Sequence, residues 1–205
     1  MKLKLPDGSF DAYIFDCDGT ITDSMPLHYL AWSKALSEWN CTFSQDLFYA
    51  WGGMTVPAIV SKLNEQQGLL MSPADVSRRK EDLYLEMLPQ LKAVPEVLEH
   101  IDAQYGRIPF AVVSGSTRES VTASLESLQL LDKFETLVCA GDYEKSKPDP
   151  EPFLLAANRL GIVPKSCLVF EDADMGIQAA SAAGMASVKV TPVRHTLSQN
   201  LLGKR

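Results

Sequence analysis

Short apolar β-type runs alternate with helix-forming stretches along most of this chain, and that alternation restricts its fold more than any single residue does. The runs are 12–15, 108–113, 136–140, 167–170 and 186–190. Such a pattern predicts a mostly parallel sheet covered by helices. The helices between the runs have readable ends. Ser116-Thr117-Arg118-Glu119 has capping-box spacing and opens a helix with Val121, Leu125 and Leu128 on one face. Asp149-Pro150 offers an N-cap followed by Pro at the first helical position, and that helix stops at Gly161. Another covers about 174–183 and stops at Gly184.

The stretch from Thr22 to Ala93 breaks the alternation. It holds no convincing strand, and helical periodicity shows at Leu27, Leu30, Ala31 and Leu36 and again over 72–88. Gly52-Gly53 and Pro57 interrupt its middle. A helical block that follows the first strand reads as an inserted subdomain. The expected division is therefore 1–21 with 94–205 as an α/β core, and 22–93 as a helical cap.

Apolar residues make up 46% of the 205 and charged residues 22%, so the chain can bury a core and is neither disordered nor low-complexity. Nineteen Lys and Arg against twenty-six Asp and Glu give a net charge of −7. That balance argues against nucleic acid or an anionic membrane as the partner but leaves small anions open. Cys17, Cys41, Cys139 and Cys167 are scattered, without C-x-x-C or zinc-site spacing, which suits a reducing compartment. No apolar h-region follows the first lysines, and no run approaches the roughly 20 residues that span a bilayer. The expectation is a cytoplasmic protein. Its oligomeric state is not legible in the sequence.

In an open parallel sheet, ligands bind beyond the carboxyl ends of the strands. Asp16-Cys17-Asp18-Gly19-Thr20 follows the first run, Ser114-Gly115-Ser116 the second, and Glu171-Asp172 the fourth. A short loop after 136–140 delivers Lys147. Each piece alone has an ordinary structural use. D-x-D-G is a turn, Ser-Gly-Ser a helix cap, Lys147 a solvated loop lysine, and Glu171-Asp172 a helix-dipole partner. Together they form a complete set for phosphoryl transfer. Asp16 can attack phosphorus as a carboxylate nucleophile. Asp18 can protonate the leaving alkoxide and then deprotonate water. Mg²⁺ suits an oxygen-only site made by Asp16 and Asp18 on one side and by Asp172, with Glu171, on the other. Lys147, Ser114 and Gly115 can hold the phosphoryl oxygens.

These residues resemble the four motifs of the haloacid dehalogenase-like superfamily: Asp16-x-Asp18-Gly19-Thr20, Ser114, Lys147 and Glu171-Asp172. The resemblance implies a Rossmann-like core with an α-helical cap inserted after the first motif. It also implies Mg²⁺ bound by Asp16, the backbone carbonyl of Asp18, and Asp172. The segment from Phe170 to Ala180, and Thr22-Asp23-Ser24 through His28 and Trp32, resemble the subgroup of β-phosphoglucomutase and small sugar phosphatases. In that subgroup His28 and Trp32 would line the cap–core cleft, and Lys80 would touch the substrate phosphate or leaving group. Ser116 and Arg118 are further candidates for substrate contact. The ordinary alternatives are a helix-facing His28, a core Trp32 and a surface Lys80.

Departures narrow the chemistry. Dehalogenases and the phosphonate-cleaving members lack the second aspartate of the first motif, so Asp18 argues against C–halogen and C–P cleavage. The mutase carries an arginine in a cap loop for its distal phosphate. The matching loop here, Gly52-Gly53-Met54-Thr55-Val56-Pro57, has none, although Arg118 is a cation that can compensate. The expectation is a Mg²⁺-dependent phosphatase acting on a small, sugar-type phosphate. The alternatives are a β-phosphoglucomutase-like phosphotransferase and, from another class, a non-catalytic phospho-ligand sensor or partner-binding protein.

Overall fold

Five parallel strands form the sheet of the computed structural model, which describes residues 3–52 and 54–191. They are β1 (Ala12–Phe15), β2 (Phe110–Val113), β3 (Thr136–Val138), β4 (Cys167–Glu171) and β5 (Ala186–Lys189). Their order is β3-β2-β1-β4-β5. The second run becomes strand only at Phe110, because Pro109 has no N–H to give to a ladder. The third stops at Val138, because the Cys139 N–H turns to the Asp142 carboxylate at 3.0 Å.

Along β1, side chains alternate between two faces. Tyr13 and Phe15 enter an aromatic layer with Phe110 and Phe170, covered by α5 (Pro95–Gln104) and α6 (Arg118–Ser127) through Val97, Ile101, Val121 and Leu125. Ala12 and Ile14 enter a layer of smaller side chains, covered by α7 (Glu151–Leu160) and α8 (Asp174–Ala182) through Phe153, Ala156, Ala157, Ala179 and Ala180. Small residues on that second face let two helices sit close against the strands. Burial on both faces is the condition under which parallel sheets persist.

Register then sets the functional edge. Phe15 lies beside Val112 on one side and Phe170 on the other. The residues that follow, Asp16, Val113-Ser114 and Glu171-Asp172, must emerge together. The strand order reverses at β1, so Asp16 and Glu171 flank the crevice at the switch point.

Between β1 and α5 come α1 (Met25–Ser37), α2 (Gln45–Ala50), α3 (Val56–Gln67) and α4 (Pro73–Met87). Pro57 does not interrupt this block: it occupies the first turn of α3, where its missing N–H has no partner to lose. The two chain passes that join the block to the sheet are hydrogen-bonded to each other. The Asp23 N–H donates to Lys92 O at 2.8 Å, and the Val94 N–H to Ile21 O at 2.9 Å. Residues 22 and 93 thus form an antiparallel bridge between the two passes. The expected outer limits, residues 1–2 and 192–205, and Gly53 of the arginine-free loop lie outside the described residues.

Two helix starts differ from their expected positions. Thr117, not Ser116, caps α6 and accepts from the Ser120 N–H at 3.3 Å. The Ser116 hydroxyl is committed to Asp18 instead, at 2.7 Å. α7 begins at Glu151, with Pro150 at the N-cap position and the Asp149 carboxylate accepting from the Glu151 N–H at 3.0 Å.

Phe15 is fully buried and packs against four other rings, Tyr13, Phe110, Phe134 and Phe170. Phe15→Ala should lower unfolding stability by about 3–5 kcal/mol. Urea denaturation followed by circular dichroism measures this, and an unchanged midpoint would show that the aromatic layer does not carry the sheet.

Candidate active site at the carboxyl edge of the sheet

Lys147 arrives on the loop between β3 and α7 and places its ammonium among three acceptors. Nζ donates to Asp16 Oδ1 at 2.8 Å, Glu171 Oε1 at 2.7 Å and the Val113 carbonyl at 3.1 Å. All three of its N–H donors are thereby used, one at the end of each of three neighbouring strands. Burial would lower the lysine's pKa, but the Asp16 and Glu171 carboxylates outweigh it and hold the ammonium well above its ordinary value. Glu171 is itself buried, and its other oxygen accepts from the Ala173 N–H at 2.6 Å.

That placement of Glu171 requires Gly176. A Cβ on Gly176 would stand 1.9 Å from Glu171 Oε1 and 2.0 Å from its Cδ. Gly19 does the same for Asp172: a Cβ there would be 2.5 Å from Asp172 Oδ2, and its φ of +89° is one that L side chains rarely adopt. Two glycines thus let two carboxylates approach backbone that would otherwise be covered.

Asp16 is buried, and its N–H donates to Phe170 O at 2.9 Å. Burial pushes its carboxyl well above the usual range. Lys147 opposes that shift, and the charges of Glu171, Asp172 and Asp18 add to it. Asp172 is pushed up to about 7 by burial and by Glu171. Asp16, Glu171 and Asp172 each offer an oxygen within 4.8 Å of the others. An oxygen-only set with surplus negative charge fits a hard divalent cation. Within it Glu171 already spends both oxygens on Lys147 and Ala173, which leaves Asp16 and Asp172 as the better-placed ligands.

Asp18 is only two residues from Asp16 but has the opposite environment. Oδ1 accepts from the Ser24 hydroxyl at 2.7 Å and from His28 Nε2 at 3.0 Å. Oδ2 accepts from the Ser116 hydroxyl at 2.7 Å, with the Ser114 hydroxyl at 3.4 Å. Burial favours protonation, but His28 and the Ser116 and Ser24 hydroxyls overcome it and hold the carboxyl well below its usual range. Burial and the neighbouring Lys80 lower the His28 pKa, and the Asp18 carboxylate opposes them.

The remaining candidates fall in different places. Ser114 is buried and also accepts the Ser116 N–H at 3.0 Å, and Gly115 is exposed between them. Lys80 is buried on α4, with Nζ 3.0 Å from Glu81 Oε2 and 5.4 Å from the centre of the Tyr84 ring. Trp32 is not at the edge. It lies inside the helical block against Phe43, Leu36 and Val60, because its face of α1 turns towards α2 and α3. Arg118 also points elsewhere. Its guanidinium donates to Asp142 at 2.6 Å and to Leu137 O at 3.1 Å, beyond β3. Ser24, Tyr84 and Gly176 were not singled out from sequence. The spacing of Ser24 and His28, four apart at the start of α1, is the signal that finds the first.

A haloacid dehalogenase-like hydrolase profile matches residues 13–190. The chain belongs to that family. It is an enzyme of a hydrolase family, with phosphatases among its relatives. It is 36% identical over 177 residues to the fructose-1-phosphate phosphatase YqaB of Escherichia coli, covering 86% of this chain and 94% of that protein. It is 29% identical to the phosphorylated carbohydrates phosphatase of Thermotoga maritima, covering 92% and 87%. Among solved structures, the β-phosphoglucomutase of Clostridium difficile superposes with a TM-score of 0.76 at 26% identity, covering 87% and 83%. Among the described residues no helix is long and apolar enough to cross a membrane.

Gly176→Ala should displace the Glu171 carboxyl and lower stability by about 1–3 kcal/mol, with loss of the Lys147–Glu171 pair. Chemical denaturation measures the first, and a crystal structure of the variant shows the second. Wild-type stability with Glu171 unmoved would mean that α8 relaxes instead.

Proposed function

We propose that the protein is a Mg²⁺-dependent phosphatase that hydrolyses a small, sugar-type phosphate monoester through an aspartyl phosphate on Asp16. The observation that carries this reading is geometric: Asp16 lies against the Lys147 ammonium and within 4.8 Å of an Asp172 oxygen, while Asp18, two residues on, is held by the Ser24 and Ser116 hydroxyls and His28.

Asp16 attacks phosphorus, its carboxylate oxygen forming the new P–O bond as the bond to the sugar oxygen breaks. Mg²⁺ held by Asp16 and Asp172 would keep both carboxylates ionised and neutralise charge on the phosphoryl group. Lys147 and Ser114 orient the phosphoryl oxygens. Asp18 then takes a proton from the water that cleaves the aspartyl phosphate, and passes that proton to the leaving alkoxide of the next substrate. The donors around Asp18, on Ser24, His28, Ser114 and Ser116, fix the direction of its carboxyl. The helical block covers this edge as a cap, excludes bulk water and contacts the sugar through His28 and Lys80. The partner is thus a small molecule, not nucleic acid or a membrane, in keeping with the net charge of −7.

A mutase reading draws on the likeness to β-phosphoglucomutase. It needs a cation for a second phosphate, and Arg118 is spent on Asp142. Water is favoured as the acceptor. Phosphorus NMR of β-glucose 1-phosphate with a trace of the 1,6-bisphosphate and Mg²⁺ should show inorganic phosphate growing faster than glucose 6-phosphate. The opposite order would establish the mutase.

Asp16→Asn should raise the barrier by about 5 kcal/mol or more. Turnover at a tenth of wild type would refute the covalent step. Asp172→Ala should need far more Mg²⁺ and recover in part at high metal, whereas Lys147→Ala should not recover. Superimposable Mg²⁺ titrations for Asp172→Ala and wild type would remove Asp172 from the metal site.

A further inference from the structure

Tyr84 lies on α4 and is completely buried. A buried tyrosine hydroxyl must find a partner. This one finds it outside the helical block, on α6, where it lies 2.8 Å from Ser124 Oγ. Ser124 spends its single hydrogen on Ser120 O at 2.7 Å, so Tyr84 is the donor. Burial, the largest influence, and the nearby Asp18 charge both push the phenol's pKa up, so it keeps the proton it donates.

The Tyr84 ring lies flat against His28, with centroids 4.0 Å apart and planes 12° apart. His28 Nε2 bonds Asp18, but its buried Nδ1 has no hydrogen-bond partner among the described residues. A histidine that aims another group commonly has its second nitrogen fixed by a carbonyl or carboxylate. Here no such group does so, and the orientation of the imidazole rests on the Tyr84 ring. A chain of contacts therefore runs from Ser124 through Tyr84 and His28 to Asp18 Oδ1. The loop that opens α6 reaches the other oxygen directly, through Ser116. Both oxygens of Asp18 are thereby referred to one helix.

We propose that Tyr84 is a positioning residue: tethered to Ser124, it sets the plane of His28 and through it the aim of Asp18 at the water that cleaves the aspartyl phosphate. The inference rests on the reading of Asp18 as that base. It assigns a role to a residue that touches neither substrate nor metal, and predicts a defect confined to the second chemical step.

The test is stopped-flow hydrolysis of 4-nitrophenyl phosphate at saturating Mg²⁺. Nitrophenolate leaves without needing a proton, so the first step proceeds with Asp16 and Lys147 untouched. Tyr84→Leu should give a burst of nitrophenolate followed by a steady rate about tenfold slower per burst-titrated site. Tyr84→Phe and Ser124→Ala keep the stacked ring but lose the tether, and should slow that rate about threefold. In all three, KM should fall with kcat and leave kcat/KM within about twofold of wild type. Counting sites by the burst removes unfolded protein from the comparison, and Tyr84→Phe is the less disruptive substitution. A steady rate for Tyr84→Leu within twofold of wild type would overturn the inference. So would a fall in kcat/KM that matches the fall in kcat, which is the mark of general damage. Asp18→Asn is the reference. If it lacks the split between kcat and kcat/KM, the base assignment falls and this inference with it. If it shows the split and Tyr84→Leu does not, only the role of Tyr84 is refuted.

Discussion

The Lys147 ammonium, enclosed by Asp16, Glu171 and the Val113 carbonyl, is the contact on which the rest of the site depends. Three strand ends converge on it, and without a cation there the carboxylates of β1 and β4 would face each other in a buried space. A buried charge that loses its partner is unfavourable by about 3–5 kcal/mol, so the cluster is stable only as a whole. The sheet register makes that possible. With Phe15 beside Phe170, Asp16 and Glu171 leave the sheet side by side, and one lysine can bridge them.

Around that contact the backbone is opened where carboxylates must enter. Gly176 clears the space for Glu171, and Gly19 for Asp172. Hydrogen bonding then gives the acids different surroundings. Glu171 is saturated by Lys147 and Ala173, and Asp18 by hydroxyls and a histidine. Asp16 gives one oxygen to Lys147, and with Asp172 it forms the pair better suited to a hard cation.

The helical block is tied to this arrangement at several points. Its two linkers bond to each other, Ser127 of α6 donates to Leu88 O at 3.1 Å, and Leu128 packs with both the sheet's aromatic layer and the α1–α4 cluster. The Tyr84–Ser124 bond is the buried member of this seam. A cap held through α6 shares its support with Ser114 and Ser116, which lie just before that helix.

The strands, the helices that follow the first of them and the acids at the strand ends were legible in the sequence, because each is written along the chain. Apolar runs, 3.6-residue periodicity and an acid after a strand are local signals. Partner choice was not. His28 and Trp32 stand four apart on α1, yet one meets Asp18 and the other is buried against Phe43. Ser116 and Thr117 both suit a helix cap, and it is Asp18 that takes Ser116 away. Arg118 turns to Asp142, which no spacing announces. Ser116 and Asp18 are 98 residues apart in the chain, and Lys147 and Asp16 are 131 apart. Over such distances a donor's acceptor depends on which charges packing brings within about 3 Å, and only the folded chain decides that.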